Sequence, residues 1–413
     1  MEKVEVIDFD HQGRGIGKLN NKTVFINNAL PGEIVEIKVL KEKKNFIEAD
    51  VSSILKESPI RINPVCPYFN KCGGCDLMHI SYEEQLRFKQ KKIENIKNRF
   101  SNIDFPIRDI ISSDNLYYRN KVTFHVNNGK IGYFKEKSNV LIDIDSCLLL
   151  DKKINEIYHL IKDNMNLEGI DSIVIRSSLN IDNSMIIVYT NKKVNEQEII
   201  NLFKDKVDSI IISSKGNFKS IFGNDYILEK LFSKKFIITA DSFFQVNTKQ
   251  TEKLYSKVTE YVEPKNYETI LDLYCGTGTI GILVSEGAKE VVGIELNKSA
   301  VKSALENKKL NDTKNIAFYA GDTGEILSKH NYKVDTVIVD PPRAGLSELA
   351  ITEIFKVGAK KIVYVSCDPM TLMRDLNLLS TQYDVLELTP VDMFPNTSHV
   401  ECVTVLCSKS VIK

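Results

Sequence analysis

The sequence lacks several features that would narrow its function at once. It has no net charge, since 55 lysines and arginines balance 55 aspartates and glutamates, so bulk charge gives no support for nucleic-acid binding. It contains no apolar run long enough to span a bilayer and no signal-peptide pattern, so we expect no membrane partner. It also lacks internal repeats and low-complexity linkers. Because 413 residues exceed one compact core, we expect two or three domains.

Local clusters of basic residues remain despite the balanced total. One lies near the N-terminus, and the other lies in a helix-like stretch around residue 90. Phosphate binding requires such local patches and does not require that the whole protein be basic. Acidic neighbours dilute the second cluster, so a solvated helix face is an equally good interpretation. The clusters are Lys38, Lys41, Lys43 and Lys44, and Arg87, Lys89, Lys91, Lys92, Lys97 and Arg99.

The order of short apolar runs predicts a multidomain α/β protein with three parts. Residues 1–57 carry β-like runs separated by glycine turns, a pattern typical of a small β-barrel. Residues 58–238 mix β-like runs with amphipathic stretches, which predicts an α+β domain. Across residues 239–413 strands and helices alternate regularly, as a doubly wound parallel sheet requires.

Two polar motifs in this last part each follow a β-branched run. They are DPPR at 340–343 and SCDP at 366–369, and Cys367 stands 27 residues after Asp340. Open α/β sheets bind ligands outside the carboxyl ends of their strands, so both motifs should line one crevice. Cys367 then suggests a nucleophile beside a pocket for a planar ring. The alternative is a buried cysteine that packs as a small hydrophobe.

A glycine-rich turn supplies the third element. The segment LDLYCGTGTIG at 271–281 runs from an apolar strand into a helical pattern, and its glycines let the backbone approach a ligand closely. A second strand ends at Glu295, 19 residues after Gly276, where a carboxylate can accept hydrogen bonds from the ribose of an adenosine-containing cofactor. A nicotinamide dehydrogenase fits the same glycines. A dehydrogenase would not explain the DPPR and SCDP motifs on later strands, whereas a methyltransferase that acts on a nucleobase would explain them.

Four cysteines outside this domain form a possible metal-binding set. Cys66, Cys72 and Cys75 are spaced as C-x5-C-G-G-C, and Cys147 follows far downstream. Four thiolates suit a soft metal centre. Disulfides are disfavoured because they belong to oxidising compartments. Zinc stays open, since spacing alone does not exclude a zinc site built from four cysteines.

In this order and spacing the motifs resemble the S-adenosylmethionine-dependent RNA uracil-5-methyltransferases. The likeness includes YRNK at 118–121, FFQVN at 243–247 and MFPNTSHVE at 393–401. The ribosomal RNA branch of that family is similar to this chain in having an N-terminal TRAM domain, an OB-like RNA-binding barrel, and a cysteine-ligated cluster; the transfer RNA branch typically lacks both. The resemblance therefore implies a TRAM barrel, a 4Fe-4S cluster in the central domain, a Rossmann-like methyltransferase domain, and packing of the helix near 81–99 on that domain.

The resemblance also implies roles for single residues. Cys367 would add as a thiolate to carbon 6 of uracil, which makes carbon 5 nucleophilic enough to take a methyl group. Glu401 would then remove the carbon 5 proton. Cys66, Cys72, Cys75 and Cys147 would hold the cluster, with zinc as the alternative metal. The positions that would contact S-adenosylmethionine are Gln245, Tyr274, Gly276, Gly278, Glu295, Asp322 and Asp340.

The reaction expected from this resemblance is methylation of a specific uridine in 23S ribosomal RNA by a cytoplasmic, monomeric enzyme. Transfer RNA is the alternative substrate. A protein of another class, a non-catalytic RNA-binding assembly factor with the same fold, also stays open. The joint presence of Cys367 and Glu401 favours catalysis.

Overall fold

The chain forms a small closed barrel, a mixed central sheet and a C-terminal sheet that is mostly parallel. The computed structural model describes residues 2–136, 138–329 and 333–410. This arrangement agrees with the predicted multidomain α/β architecture, with a barrel first and a doubly wound sheet last. Within the described ranges, no helix is both long and apolar enough to cross a bilayer.

The N-terminal barrel closes because its first and fifth strands both pair with its fourth. Apolar side chains alternate with polar ones along the strands, so Val4, Val6 and Ile26 point into the barrel core. Asn20 and Asn21 both have positive φ, 49° and 62°, and form the two-residue turn between the second and third strands. The strands are β1 Glu2–Phe9, β2 Gly15–Leu19, β3 Lys22–Asn27, β4 Ile34–Glu42 and β5 Phe46–Lys56, in the order β1-β2-β3-β5-β4.

A long helix, α1 (Tyr82–Phe100), follows the barrel and the cysteine-rich segment. Its start is fixed by Ser81, whose hydroxyl accepts a hydrogen bond from the Glu84 N–H at 3.3 Å. Lys97 and Arg99 lie in its last turn, where positive charge is favoured by the helix dipole.

The central sheet has seven strands and buries one face under a helix. Ile154, Ile157 and Ile161 of that helix pack into the core formed by the sheet. The tenth and eleventh strands pair in parallel and the other described pairs are antiparallel. The elements are β6 Lys121–Asn127, β7 Lys130–Phe134, β8 Leu141–Ile142, α2 Lys152–Asn164, β9 Ile170–Ser177, β10 Ser184–Thr190, α3 Glu196–Phe203, β11 Ser209–Ser214 and β12 Asn217–Gly223. A separate hairpin, β13 Tyr226–Leu231 and β14 Lys234–Thr239, leads to the last domain.

The C-terminal sheet has the order β17-β16-β15-β18-β19-β21-β20. Its first strand, β15, has β16 on one side and β18 on the other, so the winding reverses there and opens a crevice at the carboxyl ends of the strands. Strand β21 runs antiparallel to both of its neighbours, β19 and β20. The elements are α4 Thr248–Val262, β15 Thr269–Leu273, α5 Thr279–Val284, β16 Glu290–Glu295, α6 Lys298–Leu310, β17 Ile316–Ala320, α7 Thr323–Lys329, β18 Thr336–Val339, α8 Glu348–Val357, β19 Lys361–Ser366, α9 Pro369–Leu379, β20 Tyr383–Val391 and β21 Glu401–Ser408.

Helix α1 packs on this C-terminal domain despite its distance in sequence, as expected. Ile93 of α1 shares a hydrophobic core with Leu372 of α9. Beside them Lys89 and Asp392 form an ion pair at 2.5 Å, and neither side chain is exposed. The Tyr82 hydroxyl donates to the second carboxylate oxygen of Asp392 at 2.8 Å. A buried ion pair with satisfied oxygens fixes α1 against the segment that leads to β21.

Lys89→Met should lower the free energy of unfolding by about 3–5 kcal/mol, because it leaves the Asp392 carboxylate buried without its cation. Lys91→Met on the same helix is the matched control. Its pair with Asp8, at 3.7 Å, lies between exposed side chains, and such pairs contribute at most about 1 kcal/mol. Urea denaturation followed by circular dichroism measures both values. Equal losses in the two variants would contradict a special role for the buried pair.

Candidate active site

The carboxyl ends of four neighbouring strands bring the sequence motifs to one edge of the sheet. Leu273 of β15 is aligned with Ile294 of β16 and with Val339 of β18. Val339 is in turn aligned with Tyr364 of β19. Polar side chains at or just beyond these aligned positions therefore share the crevice predicted from the sequence. They are Tyr274, Glu295, Asp340 and Cys367.

Glu401 reaches the same place from an antiparallel strand. In the pairing of β19 with β21, Ser366 lies opposite Cys402. Cys367 directly follows Ser366, and Glu401 directly precedes Cys402, so the two residues lie next to this pair. The Glu401 side chain is buried, whereas Cys367 is half-buried. The structure thus brings together the two residues to which the sequence assigned catalytic roles.

The electrostatics around Cys367 are dominated by burial and by acidic neighbours. Burial, followed by the charges of Glu401 and Asp340, raises the pKa of the Cys367 thiol to about 11, and the Arg343 guanidinium acts in the opposite direction. Burial and then Asp340 raise the pKa of Glu401 to about 8, again against Arg343. Burial alone raises the pKa of Asp340 to about 7. The pocket is therefore short of positive charge, and a cationic ligand is electrostatically favoured there.

The glycine turn after β15 divides into a ligand-facing position and a packing position. Gly276 has φ +53°, and a Cβ placed on it would meet no atom within 4 Å. Gly278 has φ +78°, but a Cβ there would lie 2.5 Å from the Phe318 ring. Both positions require glycine. The open space beside Gly276 is where a ligand can approach the backbone, while Gly278 allows α5 to pack closely.

Glu295 is held at the rim of this turn by two backbone donors. Its Oε2 accepts a hydrogen bond from the Gly276 N–H at 3.0 Å, and its Oε1 accepts one from the Asn297 N–H at 2.8 Å. A carboxylate has about four acceptor sites. Glu295 therefore keeps the capacity to accept hydrogen bonds from ribose hydroxyls.

The remaining predicted cofactor positions differ in their exposure to solvent. Gln245 is buried, and its backbone carbonyl accepts a hydrogen bond from the Asn120 amide at 3.1 Å. Asp322 is exposed, and its Oδ1 accepts from the Glu325 N–H at 3.1 Å at the start of α7. Burial, followed by the charge of Asp322, raises the pKa of Tyr274 to about 12. Asp322 and Tyr274 are thus electrostatic neighbours on one side of the turn.

Sequence reasoning overlooked Asp272, which lies in the quoted motif but is fully buried in β15. Its Oδ2 accepts from the Gly281 N–H at 2.8 Å, whereas its Oδ1 has no hydrogen-bond partner among the described residues. Burial raises its pKa to about 8, and the charges of Asp340 and Glu295 add to the effect. The signal available in the sequence was an aspartate within an otherwise apolar strand.

The residues of the crevice fit an adenosine cofactor that carries positive charge.

The four cysteines of the central region come together, although they do not form a recognisable site for one metal ion. Cys66, Cys75 and Cys147 pack against one small hydrophobic cluster. Burial raises the pKa of the Cys75 thiol, and the charges of Cys147, Cys72 and Cys66 raise it further. All four are free thiols, which suit a soft centre. Among the described residues, no group of three or more His, Cys, Asp or Glu could hold a metal ion, so the predicted cluster is not shown.

The cysteine loop is tied directly to the segment before Glu401. The N–H groups of Asp76 and Leu77 donate to the Asn396 carbonyl at 2.9 and 3.0 Å. The Ser398 N–H donates to the Asp76 carboxylate at 2.9 Å. These bonds place the residues that follow Cys75 against the chain that delivers Glu401 to the crevice.

Known proteins resemble this chain in sequence and in fold. The family model described as tRNA (uracil-5-)-methyltransferase matches residues 81–409, and the TRAM domain model matches residues 2–52. An uncharacterized RNA methyltransferase of Clostridium tetani is 36% identical, covering 96% of this chain and 94% of its own. One from Staphylococcus aureus strain MSSA476 is 35% identical and covers 96% of both chains. The solved structure of Pyrococcus abyssi tRNA (uracil-54, C5)-methyltransferase in complex with S-adenosyl-L-homocysteine has a TM-score of 0.83 and 30% identity, covering 98% of this chain and 99% of that chain.

The chain belongs to the RNA uracil-5-methyltransferase family. This RNA uracil-5-methyltransferase depends on S-adenosylmethionine, and RNA is its substrate. Its N-terminal barrel is a TRAM domain, and its C-terminal sheet is a Rossmann-like methyltransferase domain. The predictions of a TRAM barrel and of a Rossmann-like methyltransferase domain are confirmed. Membership of an enzyme family argues against the alternative of a non-catalytic assembly factor.

Glu401→Gln should make Cys367 react faster with iodoacetamide at pH 9. Glu401 is ionised at that pH, and after burial its charge is the main influence that raises the pKa of the thiol. We expect a gain of about three- to tenfold, the effect of roughly half to one pKa unit on the thiolate fraction. Mass spectrometry of the alkylated Cys367 peptide measures the rate, with the buried Glu353→Gln as control. A parental rate in Glu401→Gln would show that the carboxylate does not act on the thiol.

Proposed function

We propose that this methyltransferase modifies carbon 5 of a uridine through a covalent adduct with Cys367, and that Glu401 removes the carbon 5 proton. The observation that supports the proposal is the pairing of Ser366 with Cys402, since Cys367 and Glu401 are the residues next to this pair. The charge of Glu401 also raises the pKa of the Cys367 thiol. A nucleophile and a base on opposite strands can act on neighbouring atoms of one ring.

The proposed reaction begins with the thiolate of Cys367 adding to carbon 6 of the uracil ring. The electron pair of the double bond between carbons 5 and 6 moves toward carbon 5 and the carbonyl at carbon 4, giving an enolate. S-adenosylmethionine, when bound in the crevice, would give its methyl group to carbon 5 as an electrophile and become S-adenosylhomocysteine. Glu401 then takes the proton from carbon 5, the double bond re-forms, and the thiolate is expelled. Splitting one hard substitution into these steps is the benefit of covalent catalysis.

The proposed cofactor contacts follow from the geometry of the crevice. Gly276 would allow the cofactor to approach the backbone, and Glu295 would accept hydrogen bonds from the ribose. Asp340 would supply negative charge near the sulfonium. Gln245, Tyr274, Gly278 and Asp322 would complete the surroundings, with Gly278 contributing through the packing of α5.

The raised pKa of Glu401 suits a base. A carboxylate with a pKa of about 8 is a stronger proton acceptor than one with the ordinary value near 4.5. The same environment disfavours the free thiolate of Cys367, because Glu401 and Asp340 both repel it. Arg343 offsets part of that repulsion, so we assign it the role of favouring the thiolate.

Cys367→Ala should bind RNA and S-adenosylhomocysteine normally but form no 5-methyluridine, a loss of activity of at least about a thousandfold when a nucleophile is removed. RNA containing 5-fluorouridine should cross-link to the parent enzyme, since fluorine cannot leave carbon 5 as a proton does, and should not cross-link to the variant. Denaturing gels with radiolabelled RNA measure the adduct. Near-parental methylation by Cys367→Ala would overturn the mechanism.

The Glu401→Gln variant distinguishes the role of the base from that of the nucleophile in the same assay. The variant should transfer the methyl group and then retain the RNA covalently, because nothing removes the carbon 5 proton. A cross-linked species should therefore accumulate with ordinary uridine. Fast turnover without a trapped species would assign proton removal to another residue.

For the RNA class we propose a uridine in 23S ribosomal RNA, as the resemblance to the ribosomal branch implies. Transfer RNA is a second candidate, favoured by the Pyrococcus abyssi structure, whose name states a tRNA substrate. Its match covers 98% of this chain and so extends through most of the TRAM barrel. The barrel therefore does not separate the two substrates. The monomeric state and the cytoplasmic location stay predictions.

Deletion of the gene should remove 5-methyluridine from 23S ribosomal RNA and leave transfer RNA unchanged. Mass spectrometry of ribonuclease digests from purified ribosomal and transfer RNA measures both pools. Expression of the parent enzyme should restore the modification, and expression of Cys367→Ala should not. Loss confined to transfer RNA would assign the enzyme to the second candidate.

We also propose that Cys66, Cys72, Cys75 and Cys147 hold a 4Fe-4S cluster rather than zinc. The four thiols lie within range of one another's charge, which suits a shared soft centre. The resemblance to the ribosomal branch favours a 4Fe-4S cluster over zinc. When bound, a fully ligated cluster would supply a rigid anchor, and Asp76 would transmit that rigidity to the segment before Glu401.

Protein purified without oxygen should contain about four iron atoms per chain, as a cluster with four cysteine ligands requires. Cys75→Ser should lose the iron, because it removes a ligand. Cys407→Ser is the matched control, since Cys407 lies in β21 outside the cysteine loop. Elemental analysis measures metal content. Zinc without iron would contradict the proposal.

A further inference from the structure

The basic residues of α1 do not form one uniform charged surface. Lys89 is buried in its pair with Asp392, and Lys97 pairs with Asp104. Arg87, Lys91 and Arg99 line a cavity of about 920 Å³ between α1 and the barrel. These three positions are four and eight residues apart, so they lie on one face of the helix and extend over about 18 Å. Arg87 also pairs with Glu83 and Glu84 at the surface, and Lys91 pairs with Asp8 at 3.7 Å.

The barrel wall of this cavity carries a flat, fixed platform. The Arg14 guanidinium lies 4.8 Å from the centre of the Phe25 ring. Asp10 holds it there, because the Arg14 Nε donates to the carboxylate at 2.8 Å. A planar cation stacked on an aromatic ring is a surface that base faces favour. Phe9 and Phe100 also line the cavity.

The lining of the cavity has an excess of positive charge and includes residues close in sequence to the active site. Met370, three residues after Cys367, lines the cavity. Lys92 lines it as well, and its Nζ donates to the Ser398 carbonyl, three residues before Glu401, at 2.7 Å. The charged lining comprises five basic residues and three acidic ones: Arg14, Arg87, Lys91, Lys92 and Arg99, and Asp8, Asp10 and Glu84. A positively charged cavity that includes the start of α9, just after Cys367 in sequence, is complementary to the phosphate backbone of the substrate.

We propose that this cavity is a binding channel for a single-stranded segment of the substrate RNA that flanks the target uridine, with one base stacked at Arg14 and Phe25. The proposal rests on the proposed function for the placement of the target base near Cys367. Single strands expose the base faces that the aromatic rings require, whereas a duplex hides them. Arg87, Lys91 and Arg99 then contact successive phosphates.

The test measures binding of a fluorescent 15-nucleotide oligouridylate to the full-length protein. The channel variant carries Arg87→Ala, Lys91→Ala and Arg99→Ala. The control carries Lys302→Ala, Lys309→Ala and Lys314→Ala, which remove the same charge from the region of α6. We expect the channel variant to bind at least about tenfold more weakly and to lower the salt slope by about 2, as loss of three phosphate contacts on a single strand requires. The control should bind as the parent does.

Phe25→Leu tests the platform separately. It keeps an apolar side chain for the contact with Phe46 but removes the flat face, so affinity should fall several-fold with an unchanged salt slope. Calorimetric binding of S-adenosylhomocysteine checks that every variant is folded.

Three outcomes would overturn the proposal: equal losses in the channel and control variants, parental binding by the channel variant, or tighter binding of a 15-base-pair RNA duplex than of the single strand. The two proposals fail separately. If the parent enzyme forms no 5-methyluridine, the proposed function is wrong, while the comparison of oligouridylate affinities still decides the channel.

Discussion

The buried ion pair between Lys89 and Asp392 is the contact on which the arrangement of the active site depends. It joins α1 to the segment that leads into β21, at a place where neither charge meets water. The Gln85 amide strengthens the junction by donating to the Asn396 side chain at 3.0 Å. Breaking one partner of such a pair costs more than an exposed pair ever contributes. Glu401 follows this segment directly, so its position depends on α1.

The same junction connects three parts of the protein that are distant in sequence. One face of α1 forms the wall of the channel toward the barrel, and the cysteine loop contacts the far side of the junction through Asp76. The single helix α1 therefore fixes the relative positions of the barrel, the cysteine loop and the start of β21, which carries Glu401. This explains why the enzyme needs a long helix between its first and last domains.

Inside the crevice the main physical constraint is electrostatic. Asp272 and Glu401 are buried and Asp340 is half-buried, and all three acids have raised pKa values. The Arg343 cation acts on both Glu401 and Cys367. Packing buried acids together destabilises the folded protein unless a cation neutralises them. A sulfonium cofactor supplies such a cation. Repulsion within the acid cluster therefore favours binding of the cationic S-adenosylmethionine, which the reaction needs.

The strand ends, the glycine turn and the residues after them could be predicted from the sequence, because period-two apolar runs and fixed turn chemistry are local properties. The tertiary structure was needed to bring Glu401 within range of Cys367, and to bury Lys89 while Lys91 lines a channel. Strand register and helix orientation follow from long-range packing, since neighbouring lysines have the same local chemistry but opposite surroundings.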